Sequence, residues 1–517
     1  MNTILVDIPA PDDSGVRISG LLERRRGLAS AMLILVALLC FAATLKISGP
    51  QLSWDSMDYA QCARQLARGE GFTSKVLVGE LTDGYAPNGN LTAPWLNTLR
   101  APLPVYAMAA SFRLFGESDL AVCYWAGIFF VATCWLMFRA FSPLFGFPVA
   151  FLSALIFAVS RCGLAYARAG LTESAAMFSL VLLFALVQKE LNLFRSLAIG
   201  LVFGIASLNR PIALVWMAGF VAVILLCEAN ARRQLISLGA AVAGVSVVLL
   251  FSRFGLGWAS GRTAFALNLA FDVGDPHQAY TAPVSFVLSH PLAYVSKVAR
   301  QFARPLVYLF RFGDIPVISG IAPFGLLLCL NEKQRKGRLF LLAALAANTL
   351  SLSMLIAGDA FVGPLRYFDV FAPLALPWAV QLLMQFSNKL SQNQRHFFWL
   401  LFLLALAGTG YEGVRIPFPV RSHPDIYASL RDTIAQNEVV AASDAANPPA
   451  VAWYADRRAV LVEPNATGEI LKMRSQGLQL SWFLTMQSDP APAGFRTART
   501  WPDGLILWHS VNPLPTP

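Results

Sequence analysis

Charged side chains are scarce in this sequence. Only 14% of its 517 residues are Asp, Glu, Lys or Arg, whereas soluble domains carry about 25%, and 56% are hydrophobic. This composition excludes an ordinary soluble protein and predicts a polytopic membrane protein. Leu28–Leu45 is an apolar run long enough to cross most of a hydrocarbon core of roughly 30 Å, with Lys46 at its end. Because no small-residue cleavage site follows it, we expect a retained first span and not a signal peptide.

Cysteine pairs and familiar catalytic motifs are also lacking. The seven cysteines are scattered without CxxC spacing, which argues against a disulfide scaffold or a zinc ribbon. There is no Walker A, Rossmann glycine, HExxH or GxSxG motif, so ATP-driven transport, nicotinamide chemistry and serine hydrolysis lack support. The net charge of +10 comes from basic residues spread over loops, so we expect membrane lipid and phosphate as partners and no nucleic acid.

Basic residues between the apolar segments predict the topology. Arg17 and the run Arg24–Arg26 precede the first span, so we expect residues 1–26 to form a cytoplasmic N-terminal tail. Residues 27–411 then form an α-helical domain of about eleven spans in the cytoplasmic (inner) membrane, with a first outer loop at 49–118 and a second at 253–313. In this count every short cytoplasmic loop is basic and the C-terminus lies outside. The later apolar segments lie at about 119–138, 148–167, 172–188, 196–212, 213–228, 235–252, 314–330, 339–357, 368–386 and 396–411.

Two further elements are expected on the outer face. Pro102–Phe115 is apolar and helical in pattern but short, and counting it as a span would invert the basic loops that follow. We therefore predict a juxtamembrane helix that lies in the interface. Residues 412–517 predict a small α/β domain of about 100 residues, which is enough for a modest core. Its pattern favours a helix at Asp425–Gln436, strands at Val439–Ser443 and Ala459–Val462, and an apolar run at Gly504–Trp508.

Two carboxylates open the first loop. Asp55 and Asp58 follow Ser53, a helix N-cap residue, and Gly69 lies past the predicted end of this helix, so the two acids share one helical face. They suit the positive end of the helix dipole. Alternatively, desolvation raises the pKa of one of them so that it acts as a general base on an attacking hydroxyl. A divalent metal held by the pair stays open, and no cofactor is certain from the sequence.

Arginines near span ends form a second group. Arg100 precedes a proline-fixed turn at the membrane surface and suits the phosphate of a lipid carrier, unless it only snorkels to anchor the helix. Glu173, Arg210 and Arg366 lie in three later turns that face the side of Asp55 in the predicted topology. We expect these residues to surround a cavity for an anionic substrate, with at least one of the arginines on a phosphate.

Asp272, Asp275 and His277 in the second loop also resemble a metal cluster. Their spacing matches no compact site, so a solvated loop is the preferred interpretation.

Four local motifs carry a family resemblance. They are Asp55–Tyr59 with Ala67–Phe72, Arg100–Tyr106 running into Leu114–Gly116, Leu171–Ser174, and the pair Leu208–Pro211 and Leu365–Tyr367. The chain resembles the GT-C membrane glycosyltransferases, in the branch of the protein O-mannosyltransferases and the lipid A aminoarabinose transferase. The resemblance implies a GT-C-like fold. It also implies transfer of a sugar, with inversion, from a polyprenyl phosphate carrier to a lipid, glycan or protein acceptor outside the cytoplasmic membrane.

The resemblance also implies roles for single residues. Asp55 maps to the catalytic acid of the family, with Asp58 as the alternate and Glu173 as a second acid. Glu173 stands in Leu-Thr-Glu where the aminoarabinose transferase has Leu-Asp-Pro, and the basic-Pro-Pro-Leu segment is Arg-Ala-Pro-Leu here, so that particular sugar and acceptor do not carry over. The substrate-binding residues implied for the carrier phosphate are Arg100, Arg210, Arg366, Tyr59 and Tyr367.

Other classes of protein fit the pattern less well. A lipid-linked sugar flippase or transporter would place charges and broken helices near the midplane, whereas here the charge lies at span ends and in loops. A non-catalytic subunit of an envelope assembly complex is a second alternative. An envelope polysaccharide polymerase or ligase usually has its large outer loop late in the chain, whereas the acid-bearing loop comes first here.

Overall fold

The computed structural model describes residues 26–79, 91, 94–97, 99–256, 262–270, 273–308, 316–328, 331–355, 366–415 and 424–511. Side chains are described for these residues except 262–264, 301–308, 316–319 and 467. Most of the predicted N-terminal tail, 1–26, lies outside the described residues.

Helices dominate the structure. Their bounds are α1 Arg26–Ser48, α2 Trp54–Ala67, α3 Pro102–Phe115, α4 Asp119–Phe145, α5 Phe147–Val159, α6 Arg161–Arg168, α7 Glu173–Val187, α8 Leu193–Asn209, α9 Met217–Cys227, α10 Ala231–Gly255, α11 Arg262–Ala270, α12 Pro276–Thr281, α13 Pro283–Ser289, α14 Pro291–Tyr308, α15 Pro316–Leu328, α16 Arg335–Leu355, α17 Arg366–Asp369, α18 Ala372–Asn388, α19 Gln392–Arg415, α20 Pro424–Thr433, α21 Pro448–Ala450 and α22 Thr467–Ser475. A 3₁₀ turn at Pro211–Trp216 leads into α9, and a π-helical turn at Val451–Ala455 follows α21.

Five helices in the described part of the chain are long and apolar enough to cross a membrane: Arg26–Ser48, Asp119–Phe145, Ala231–Gly255, Glu332–Leu355 and Gln392–Arg415. The pair α5 and α6, bent by 47°, makes six if it forms one broken span. Shorter apolar helices lie at Glu173–Val187, Leu193–Asn209 and Pro211–Cys227. These helices support a multi-pass membrane protein, while the count of eleven spans stays a prediction.

Close backbone packing joins α8 to α10. A Cβ atom on Gly200 would lie 2.0 Å from the carbonyl oxygen of Ala241, and one on Gly204 would lie 2.7 Å from Cβ of Val248. Inside a membrane the hydrophobic effect does not drive helices together, and small residues four apart let two helices approach closely enough for van der Waals packing to hold them. The Gly200–Gly204 spacing therefore fixes how α8 and α10 meet.

The two short helices of the first loop match their predictions. In α2, Ser53 is the N-cap, and its side chain accepts a hydrogen bond from the Ser56 amide while Ser56 Oγ accepts one from the Ser53 amide. Helix α3 spans Pro102–Phe115, as the pattern predicts, with proline at its start. Residues 56 to 65 of α2 are all buried, and the helix packs against α3, Thr73–Ser74 and the turns at residues 448–455.

The strands are β1 Thr73–Ser74, β2 Val76–Val78, β3 Trp95–Leu96, β4 Val439–Ala442, β5 Arg458–Leu461, β6 Leu480–Met486, β7 Phe495–Thr500 and β8 Leu505–Ser510. Six of them form a sheet in the order β2-β5-β4-β6-β8-β7, and β1 pairs with β3. The first four strands of the six-stranded sheet are parallel and its last two pairings are antiparallel. Every residue of β4 is buried, as in a parallel sheet covered on both faces.

The C-terminal sheet takes one edge strand from the first loop. Val76 of β2 pairs with Ala459 of β5, and Ala459 pairs with Val440 of β4 on its other side. The predicted elements of the tail are found as α20, β4, β5 and β8, but the predicted boundary of 412–517 did not include β2. The sheet therefore joins the C-terminal segment to the loop that carries Asp55 and Asp58.

Candidate functional site

Arg100 binds both acids of the first loop. Its Nη1 lies 2.8 Å from Oδ1 of Asp55, and its Nε donates to Oδ2 of Asp58 at 2.6 Å. The first turns of α2 place the acids on one side, and the loop before α3 delivers the arginine, whose amide donates to Asn97 Oδ1 at 2.9 Å. Planar guanidinium groups suit such paired carboxylate contacts. Asp58 is 1% exposed, so this ion pair is taken almost fully out of water.

Two later arginines extend the site. Arg366, at the start of α17, forms an ion pair with Oδ2 of Asp55, and its Nε lies 3.5 Å from Oε1 of Glu173. Arg210, which follows α8, lies with its Nη1 2.5 Å from the same Glu173 oxygen. We call these six residues the arginine–carboxylate cluster: Asp55, Asp58, Arg100, Glu173, Arg210 and Arg366. The three arginines, predicted separately, thus meet in one place.

Aromatic rings line the guanidinium groups. Arg100 lies 5.1 Å from the ring centre of Trp54 and 5.2 Å from that of Tyr59. Tyr367 lies 4.1 Å from the Arg210 guanidinium carbon and 5.5 Å from that of Arg366. Cation–π contacts of this kind hold an arginine in place while leaving its N–H groups for anions. Tyr59 and Tyr367, which the family resemblance implies as residues for the carrier phosphate, therefore lie beside the arginines.

The two arginines around Asp55 determine the pKa of its carboxyl group. Burial raises this pKa, but the charges and hydrogen bonds of Arg366 and Arg100 outweigh burial and hold it well below its usual range. The expectation of a pKa raised toward the working range is therefore wrong for Asp55 in this state, because two opposite charges adjoin it. Burial also raises the pKa of the Tyr59 hydroxyl to about 12, so Tyr59 is neutral at pH 7.

Two uncharged residues support the cluster and were missed by sequence reasoning. Gln61 is 1% exposed and donates through Nε2 to Oδ1 of Asp58 at 2.8 Å. Asn209 donates through Nδ2 to the Thr172 carbonyl at 2.9 Å, which ties the end of α8 to the turn before Glu173. A glutamine inside a helix gives no chemical signal of its own. Asn209, next to Arg210 in the Asn-Arg-Pro motif, was the more visible of the two.

The described part of the second loop gives no support for a metal site. Asp275 caps α12 by accepting a hydrogen bond from the His277 amide at 2.8 Å, and Asp272 lies outside the described residues. Within the residues that the structure describes, no group of three or more His, Cys, Asp or Glu side chains is placed to hold a metal ion.

One stretch of the chain, from the later part of the first loop to the end of α10, matches a family model. The family model described as dolichyl-phosphate-mannose-protein mannosyltransferase matches residues 99–256, which contain Arg100, Glu173 and Arg210. No curated protein sequence matches this chain significantly.

Solved structures share the fold at low identity. The oligosaccharyltransferase of Archaeoglobus fulgidus, in complex with zinc and sulfate, is similar with a TM-score of 0.54 and 11% identity, over 87% of this chain and 68% of that chain. ArnT from Cupriavidus metallidurans, bound to undecaprenyl phosphate, has a TM-score of 0.52 and 11% identity, over 94% and 99%. The arabinofuranosyltransferase AftD from mycobacteria has a TM-score of 0.51 and 13% identity, over 93% and 42%. The chain thus has the fold of the GT-C superfamily, and these matches support a membrane glycosyltransferase of that type.

Proposed function

We propose that this protein is an inverting glycosyltransferase. It moves a sugar from a polyprenyl phosphate carrier to a lipid, glycan or protein acceptor on the outer face of the cytoplasmic membrane. The observation that carries the proposal is the arginine–carboxylate cluster, in which Arg100 and Arg366 contact Asp55 and Arg210 contacts Glu173. Ion pairs add little to stability when exposed and cost desolvation when buried, so binding of an anionic ligand explains the cluster better than stability does.

The charge balance of the cluster favours replacement of one of its carboxylates by a phosphate on the arginines. The three positive charges of its guanidinium groups are already balanced by three carboxyl groups, so we expect an entering donor phosphodiester to take the place of a carboxylate on at least one arginine. Asp55 is the carboxylate best able to leave, because its side chain is 19% exposed while those of Asp58 and Glu173 are each 1% exposed. Asp58 is also held by Gln61.

This exchange makes Asp55 the base. Once Arg100 and Arg366 turn to the donor phosphate, the two charges that depress the pKa of Asp55 are shared with the phosphate, and its carboxylate becomes a better proton acceptor. The acceptor hydroxyl attacks the anomeric carbon and its proton passes to Asp55. The bond between that carbon and the phosphate oxygen breaks, and polyprenyl phosphate leaves with the electron pair. A single displacement of this kind inverts the anomeric carbon.

The remaining residues hold the leaving group and its arginines. Arg100 and Arg366 neutralise the charge that grows on the phosphate as the bond breaks. Arg210 joins them through Glu173, whose Oε1 lies near both Arg210 and Arg366. Tyr59 and Tyr367 keep the guanidinium planes in position through their rings.

Mass analysis of envelope lipids, glycans and proteins tests the proposal. A strain that lacks this gene is compared with strains that carry the wild type, Asp55→Asn or Asp275→Asn, the last being a matched change at a helix cap in the second loop. We expect one sugar to disappear from one acceptor class. The wild type and Asp275→Asn should restore it, and Asp55→Asn should not, at equal protein level. Full restoration by Asp55→Asn would reject the assignment, and accumulation of donor inside the cell would indicate a flippase instead.

A further inference from the structure

Gln61 is a buried side chain with a contact at every polar atom. Its Nε2 donates to Oδ1 of Asp58 at 2.8 Å and to Oγ of Ser74 at 2.9 Å, and it lies 3.0 Å from Sγ of Cys62. Its Oε1 accepts the backbone amide of Lys75 at 2.7 Å. Because an amide N–H can only donate, the Lys75 contact fixes which end of the side-chain amide is oxygen and aims the NH₂ group at Asp58.

Asp58 connects Gln61 to Arg100 through its two carboxylate oxygens. One carboxylate oxygen of Asp58 accepts from Gln61, and the other accepts from Nε of Arg100 at 2.6 Å. The carboxylate is 1% exposed, so water does not compete for either oxygen. The orientation of Gln61 therefore limits the rotation of Asp58, and with it the plane of the guanidinium group.

The other end of this chain of contacts is the C-terminal sheet. Lys75 stands between β1 and β2, its carbonyl accepts the Ala459 amide at 2.8 Å, and its Nζ lies 2.5 Å from Oδ1 of Asp456. Asp456 also accepts from Nη1 of Arg68 at 2.9 Å, beyond the end of α2. The segment that presents its amide to Gln61 is thus held by a strand pairing and by the ion pair of Lys75 with Asp456, a carboxylate that Arg68 and Arg64 also contact.

We propose that Gln61 is a positioning residue that orients Asp58, and through Asp58 Arg100, relative to the C-terminal sheet. This inference rests on the proposed role of Arg100 at the carrier phosphate. The charged and titratable groups around Gln61 are Asp58 and Cys62 on its own helix, Arg100 from the loop before α3, and Lys75, whose ammonium group points to Asp456.

The decisive variant is Gln61→Glu, which keeps the shape and the acceptor for the Lys75 amide. When the pH is above the pKa of the introduced carboxyl group, a carboxylate faces Asp58 in place of the NH₂ donor of Gln61. The two negative charges repel, and Asp58 must turn away. When that carboxyl is protonated at acid pH, its O–H can donate to Asp58 again. Binding of undecaprenyl phosphate to the full-length protein, measured from pH 5 to pH 8, should be at least about tenfold weaker than wild type at pH 8 and within about threefold at pH 5. The ratio of variant to wild type at each pH cancels the titration of the phosphate itself.

Gln65→Glu is the matched control. Gln65 lies one turn further along α2 and is 4% exposed, and its Oε1 has no hydrogen-bond partner within the described residues. A carboxyl there adds the same buried charge without facing Asp58, so we expect lower stability but no recovery of binding at acid pH. Gln61→Leu, which removes the donor without adding charge, should weaken binding at every pH.

The outcomes separate the two levels of the proposal. If the wild type does not bind undecaprenyl phosphate, the proposed function fails. If the wild type binds it but Gln61→Glu binds within twofold at pH 8, or Gln65→Glu shows the same loss and acid recovery, the positioning role alone fails.

Discussion

Arg100 and Asp58 form a buried ion pair, with Nε of the arginine 2.6 Å from Oδ2 of the acid. The same guanidinium group reaches Asp55 through Nη1 at 2.8 Å. The two acids, which look equivalent in the sequence, therefore differ in the structure. Asp58 is buried and held on both oxygens, whereas Asp55 is partly exposed and is held by arginines.

This difference predicts different losses of activity for two matched substitutions. Asp55→Asn should lower the transfer rate by about 10²–10⁴-fold, as expected for loss of a general base, and should also lower stability because Arg100 and Arg366 lose a charge partner. Asp58→Asn should cost ~1–3 kcal/mol of stability, because it disturbs a buried hydrogen-bonded contact. Transfer rates and thermal unfolding of the purified protein test both, with Asp425→Asn at an exposed position of α20 as control. Equal rate losses for the two cluster variants would contradict distinct roles.

A second prediction concerns the geometry of Arg100. Lysine carries one compact charge and cannot contact Asp55 and Asp58 as a guanidinium fork does, so Arg100→Lys should lose at least one charge-assisted hydrogen bond. We expect about tenfold weaker binding of undecaprenyl phosphate. Arg233→Lys is the control, since that arginine is 61% exposed and lies far from the cluster in the sequence. Unchanged binding by Arg100→Lys would mean that a positive charge at position 100, without the guanidinium geometry, is sufficient for binding of undecaprenyl phosphate.

Asp456 predicts a pH dependence of stability. Burial raises its pKa, but hydrogen bonds from Lys75 and Arg68 lower it to about 2. An acid with a depressed pKa stabilises the fold above its unfolded pKa of about 3.9 and loses that contribution as pH falls toward about 2. Asp456→Asn should therefore cost ~1–2 kcal/mol at pH 7, after allowance for partial exposure, and clearly less at pH 3. Thermal unfolding in detergent at both pH values measures this; a cost that is constant with pH would contradict it.

Helix packing gives a prediction independent of the site. Gly200→Ala places a methyl group against the Ala241 carbonyl and should destabilise the protein by ~1–3 kcal/mol. Gly239→Ala is the matched control, because a Cβ there meets no atom within 4 Å in the described residues, and alanine favours the helix by ~0.5–1 kcal/mol. Unfolding midpoints of the two variants should move in opposite directions.

Much of the site could be predicted from residue type and position. Carboxylates after the first span, and arginines at the ends of later spans, are costly near lipid and therefore visible in an apolar chain. What could not be predicted is which charges meet. Asp55 and Arg366 are far apart in the sequence, and only the packing of the helices brings them together. The depressed pKa of Asp55 follows from that meeting, so an argument from burial alone gave the wrong sign.

Strand β2 was missed for a related reason. Val76–Val78 is a three-residue strand with no periodicity long enough to recognise, and its partner β5 lies near the other end of the chain. Gln61 was missed because its importance comes wholly from its neighbours. The short helices α2 and α3 were predicted because the sequence marks their first turns. Ser53 caps α2, and a proline begins α3.

The pairing of β2 with β5 also orders events during biosynthesis. Residues 76–78 leave the ribosome early, whereas residues 458–461 emerge only after the helices between them have been made. Contacts between such distant segments form late, because a long loop must close first. Helix α2 and its acids therefore stay without their sheet support until residues 458–461 have been made. A chain that stops before β5 would still insert its helices. It would lack the strand that pairs with the segment of Lys75, so we expect a truncated protein in the membrane to be inactive.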